Sequence, residues 1–121
     1  MSDSLGARLV SGIAAQDAAA IASCFADDVE FRALTPNGLR ERSGAAEAAG
    51  LVAGWFGDST ELEVVDSRSD EVEDRVHISY RFAGVEEGEP YVVEQQLYCV
   101  VNGRGKIKRV DLLCSGFRPR V

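Results

Sequence analysis

The chain has 121 residues, 45% apolar and 27% charged, which is one domain's worth of sequence with enough apolar content for a single buried core. A net charge of −7 argues against nucleic acid, whose phosphates demand clustered Lys and Arg, and no apolar run approaches the ~20 residues of a membrane span. Cys24, Cys99 and Cys114 are widely spaced beside a single histidine, so no zinc pattern is present and free, mostly buried thiols are expected.

The N-terminal stretch MSDSLGARLV lacks the basic start and long apolar run of a signal peptide, which makes the cytoplasm the expected location. Positions 4 to 26 read as helix, with Leu5, Leu9, Val10 and Ile13 at helical spacing. Asp17 opens the run DAAAIASCFA, where its carboxylate can accept orphan backbone N–H groups. Two helices broken at Gln16–Asp17 follow, the second with Ile21, Cys24 and Phe25 on its apolar side. Val29 to Leu34 alternates as a strand, with Val29, Phe31 and Ala33 opposite Glu30, Arg32 and Leu34. TPNG at 35 to 38 is a turn. Ser43 is expected to cap a third helix that runs to about Phe56, with Ala48, Leu51, Val52, Trp55 and Phe56 on one face. The rest reads as strand: 62–67, 75–83, 91–101 and 107–117, separated by a loop at 84–90 and an NGRG turn at 102–105. Helices followed by hairpin-joined strands imply one α+β domain over 1–121.

Four segments carry a resemblance: FADDVEF after a helix pair, the RERSG lead into the third helix, the NGRGKI hairpin and the closing strand RVDLLCSGF. In this order, over nearly the whole chain, they resemble the nuclear transport factor 2-like superfamily and, within it, SnoaL-like domains. The resemblance implies a cone-shaped α+β barrel, three N-terminal helices packed on a curved, mostly antiparallel sheet, with a pocket at the wide end. Relatives of this kind include ketosteroid isomerases, limonene-type epoxide hydrolases, polyketide cyclases and members with no known activity, so the fold alone assigns no reaction. A homodimer through the outer sheet face is also implied.

An isomerase of this type needs a carboxylate base on the first strand and an oxyanion hole made by a tyrosine and a protonated acid. The resemblance puts Ala33 at the base position and Leu97 at the acid position, so both isomerase acids are missing. Asp27 and Asp28 fall at the helix-to-strand corner, and Glu30 on the far side of the strand. The epoxide hydrolase pattern fares no better, because Arg75-Val76-His77 replaces Arg-x-Asp and Leu112 stands where the second acid belongs.

A hairpin centred on Gly103–Arg104 pairs Leu97 with Val110, Gln95 with Leu112 and Val93 with Cys114. The inward set is then Tyr80, Phe82, Val93, Gln95, Leu97, Cys99, Val110, Leu112 and Cys114, facing Val52, Trp55, Phe31 and Ala33. Such a face would bind a small, largely apolar molecule without metal or cofactor. Trp55, Val52, Phe31, Phe82, Leu97, Cys99, Leu112 and Cys114 would line the site. Tyr80 as donor to a developing oxyanion and Gln95 as second donor would suit an isomerase, cyclase or dehydratase. The same residues would equally fill the core of a non-catalytic dimeric scaffold, since a buried Tyr, Gln or Trp needs only a partner. The outward set includes His77, Tyr98, Val100, Arg109 and Leu113, a mixture that suits a protein–protein surface. A third reading is a hydrolase centred on His77, with Glu94 or Asp111 as its partner acid.

Overall fold

In the computed structural model, which describes residues 4–120, helix α1 (Leu5–Ala14) starts where the Ser4 hydroxyl accepts the Ala7 N–H at 3.1 Å. Helix α2 (Ala18–Ala22) is capped by Asp17, whose carboxylate accepts the Ala20 N–H at 3.1 Å. Between them Gln16 adopts φ +54° and donates its side-chain Nε2 to the carbonyls of Phe56 (2.6 Å) and Ser59 (3.1 Å). These two bonds tie the helix pair to the far end of the third helix and offset the strained backbone. The second helix is shorter than its sequence pattern predicts. Phe25 already pairs with Ile107 in the sheet, so strand pairing ends the helix while Cys24 and Phe25 stay buried.

The remaining elements are β1 (Phe25–Thr35), β2 (Gly38–Ser43), α3 (Ala45–Phe56), β3 (Ser59–Val72), β4 (Arg75–Glu86), β5 (Glu89–Val101), β6 (Ile107–Cys114) and β7 (Arg118–Pro119). The strands form one curved, unclosed sheet in the order β2-β1-β6-β5-β4-β3, with β7 continuing along β5. β1 and β6 run parallel and the other pairs antiparallel, which gives the mostly antiparallel cone that the resemblance implied. The edges are charged: Arg40, Glu41 and Arg42 on β2, and Glu61, Glu63, Asp66, Arg68, Asp70 and Glu71 on β3, which oppose the addition of another chain's strand.

The core lies between the helices and the concave face. Leu9 and Ile13 of α1, Val52 and Phe56 of α3, and Phe31, Ile78, Phe82, Leu97, Val110 and Leu112 of the sheet are all buried. Each large side chain so buried contributes about 1.5–3 kcal/mol. On β1, Val29, Phe31 and Ala33 face this core, whereas Asp27, Asp28 and Glu30 are exposed.

Three local expectations are corrected. Ser43 does not cap α3, because it pairs with Glu30 in the β1–β2 ladder. Gly44 is the N-cap instead, at φ +92°, a conformation that glycine adopts without steric cost. Residues 84–90 are not a loop, since β4 and β5 stay paired to Glu86 and Glu89 around a two-residue turn. Its central residues, Glu87 and Gly88, have φ +52° and +79°, the signs that let a tight turn follow the twist of its strands. In the last hairpin Leu97 pairs with Leu112 and Gln95 with Cys114, two residues from the expected register. The Asn102 side chain accepts the Arg104 and Lys106 N–H groups at 2.9 and 3.0 Å, and a bulge follows Val100. A slip of two keeps every side chain on its expected face.

Candidate functional site

Tyr80 of β4 and Gln95 of β5 are direct cross-strand partners on the concave face. They are 2% and 0% exposed, and the Tyr80 hydroxyl donates to Gln95 Oε1 at 2.5 Å. Gln95 Nε2 donates onward to Cys114 Sγ at 3.4 Å, and the Gly116 N–H also donates to that sulfur at 3.4 Å. A polar chain thus runs from the sealed interior to the half-buried Cys114. Burial pushes the Tyr80 hydroxyl well above its ordinary pKa, with the thiols of Cys114 and Cys99 adding to the effect. Burial, followed by Asp111, likewise raises the Cys99 thiol to about 12. Tyr80 is therefore a neutral donor, and its proton is already engaged by Gln95.

Aromatic rings close the cone around this pair. Phe56 lies 5.4 Å from Phe82 and 5.5 Å from Phe117 between ring centroids, and Tyr80 meets Phe82 edge-on at 5.4 Å. Phe117 continues to Tyr91 at 5.0 Å, and the Tyr91 hydroxyl is 2.5 Å from Ser59 Oγ. Of the expected lining residues, Phe31, Val52, Phe82, Leu97, Cys99 and Leu112 are packed in the buried core. Trp55 and Cys114 are the two that line a recess at the mouth of the cone, whereas Cys99 and Leu112 border grooves on the outer face.

The recess measures about 330 Å³ and lies at the wide end of the cone. The β1–β2 turn supplies Thr35, Pro36 and Asn37, β2 supplies Arg40, and the last turn of α3 supplies Trp55. Cys114, Gly116, Phe117 and Arg118 complete the lining. Gly116 has φ +86°, and a Cβ there would lie 2.8 Å from Pro36 Cγ, so both backbone and space require glycine. Among the described residues no group of three His, Cys, Asp or Glu side chains converges as metal ligands would.

Sequence patterning did not single out Phe117, Gly116, Arg40 or Arg118 for the site. The helical spacing marks Phe56 as apolar without saying that it, and not Trp55, plugs the interior. Phe117 lies past the last paired residue of β6, where strand parity no longer applies.

On the outer face, Tyr98 and Leu113 are about half exposed, Val100 partly buried and Arg109 exposed. His77 stacks on Tyr98 at 4.7 Å, with Nε2 2.8 Å from Gln96 Oε1. Neither acid considered as its partner is bonded to it: Glu94 pairs with Arg81 at 2.8 Å and Asp111 with Arg109 at 3.5 Å. A groove of about 890 Å³ crosses this face beside His77, Tyr98 and Arg109.

A family profile for the SnoaL-like domain matches residues 7–110, most of the chain. The chain belongs to the SnoaL-like domain family. Solved structures share the fold of this SnoaL-like protein at low identity. A hypothetical protein with a ketosteroid isomerase-like fold from Catenulispora acidiphila, in complex with trimethylamine, superposes with TM-score 0.77 at 16% identity, covering 95% of this chain and 88% of that one. A candidate polyketide cyclase from Xanthomonas campestris gives 0.72 at 22%, covering 90% and 86%. A nuclear transport factor 2-like protein from Burkholderia xenovorans gives 0.67 at 12%, covering 92% and 86%. No functionally curated protein matches the SnoaL-like chain significantly. Among its described residues no helix is long and apolar enough to cross a membrane.

Proposed function

We propose that this SnoaL-like protein binds a small, largely apolar molecule in the recess at the wide end of the cone, against Trp55, Cys114 and Phe117. The observation that carries the reading is the Tyr80–Gln95–Cys114 chain, which leads from a sealed apolar interior to that one recess. Tyr80 and Gln95 lie sealed behind Phe56 and Phe117, so catalysis as an isomerase, cyclase or dehydratase would require those rings to move and admit a ligand oxygen to the Tyr80 hydroxyl, with Gln95 as the second donor. The shared fold with a candidate polyketide cyclase is compatible with a ligand-binding or cyclase role.

Trp55 is the only tryptophan, so its indole N–H gives a single, unambiguous NMR signal. Titration with 1-naphthamide, a neutral aromatic probe, should shift that signal. Cys114→Phe, which fills the recess, should abolish the response. A native indole signal that stays put up to millimolar probe would sink the reading.

A second reading is favoured by the way Phe31, Phe56 and Phe82 fill the cone: a dimeric scaffold, built through the outer face. Tyr98, Leu113, Leu34 and Leu39 expose apolar surface there, and Arg109 and Asp111 supply both signs of charge for a second copy. In sedimentation, Tyr98→Glu should convert a dimer to monomer, and a native monomer would remove this reading. The unpaired Cys24, Cys99 and Cys114 suit a reducing compartment such as the cytoplasm.

A further inference from the structure

We infer that the recess selects an anion, a small molecule with an apolar body and a carboxylate or similar acidic group. This rests on the binding reading above and adds the charge of the ligand. The recess is lined by two guanidinium side chains, Arg40 from β2 and Arg118 from β7, and by no Asp or Glu. The chain as a whole carries 20 acidic residues against 13 Lys and Arg, so an acid-free hollow with two cations runs against its average.

Among the described residues neither guanidinium has a carboxylate within 4.0 Å, although Arg118 also borders the adjoining groove that holds Glu86 and Glu89. Among the described residues Arg32, Arg75, Arg81, Arg109 and Arg120 are paired with carboxylates within 4.0 Å, whereas Arg40 and Arg118, like Arg8, Arg42, Arg68 and Arg104, enter no such pair. The overall negative charge does not cancel them locally, because salt screens exposed charges beyond about 8–10 Å. Between the two cations Trp55, Phe117 and Pro36 offer an apolar wall for a ring or chain. Guanidinium is also the side-chain group best shaped to grip a carboxylate through two parallel N–H bonds. An amine would meet like charge here and gain nothing from the rim.

The test compares 1-naphthoate with its neutral isostere 1-naphthamide on the full chain, read on the Trp55 indole signal. Naphthoate should bind at least about fivefold more tightly at low salt, and the advantage should shrink at about 0.5 M salt. The double variant Arg40→Gln/Arg118→Gln changes only exposed residues, and in it the two probes should bind with equal affinity. If both probes bind equally in the native protein, or if the double variant preserves the preference, the anion inference is overturned and the recess reading stands. If neither probe moves Trp55, both fall. Trimethylammonium binding more tightly than naphthoate would likewise overturn the inference.

Discussion

Replacement of the buried Tyr80–Gln95 pair tests whether the cone is sealed. Both residues are at most 2% exposed, and the Tyr80 hydroxyl has one acceptor, Gln95 Oε1 at 2.5 Å. Tyr80→Phe removes a hydrogen bond worth about 1 kcal/mol and strands the Gln95 oxygen away from water, at a further cost of about 1 kcal/mol or more. Gln95→Leu strands the hydroxyl in the same way, so each single change should cost about 2 kcal/mol. The double variant Tyr80→Phe/Gln95→Leu leaves no orphan and should cost only about 1 kcal/mol, a coupling of about 3 kcal/mol. Urea denaturation at one fixed protein concentration reads this directly. With a slope of about 1–3 kcal/mol/M, each single variant should lower the midpoint by about 1 M, and the double variant by less. Two single effects that simply add, or a Tyr80→Phe cost below about 0.5 kcal/mol, would refute the reasoning, because water would then be reaching the pair.

Other perturbations follow from the same packing. Phe82→Ala should cost about 3–5 kcal/mol, because Phe56 and Tyr80 hold the rings on both sides of the void, and thermal unfolding would show it. Gly44→Ala should destabilise by about 1 kcal/mol or more in urea titration: its Cβ would find room, but φ +92° is costly for alanine. Cys99 also makes stability fall at high pH. An unfolded thiol titrates near 9.0 and the native one near about 12, so below pH 9 both states keep the proton and its contribution is intact. As pH rises from about 9 towards 12 the unfolded state alone releases it, and stability is lost. Cys99→Ala should lose less stability over that window than the native protein, and an identical loss would remove Cys99 as a source.

Strand parity made much of this architecture legible. Val29, Phe31 and Ala33 alternate with Glu30, Arg32 and Leu34, and the side chains face as that alternation requires. Tyr80 and Gln95 share the concave face for the same reason, and this survived a two-residue error in the last hairpin because the side-chain period is two. The break at Gln16–Asp17 was also visible, since capping by Asp17 is a contact within one turn. β2 was not recognised as a strand, because its six residues carry three charges and none is buried, so no alternation marks them.

Whether the cone is open or filled is a different kind of question. Facing inward is a property of one strand, but occupancy depends on which distant side chains arrive in the same space. Phe56 from the end of α3 and Phe117 from beyond β6 meet at 5.5 Å, 61 positions apart in the chain, and seal Tyr80 from solvent. Arg40 and Arg118 are brought to one rim only when the β1–β2 turn and the chain after β6 converge on Trp55. Local patterning encodes which way a residue points, through the backbone's own period. The shape and charge of the space it points into are set by long-range packing, which no single segment carries.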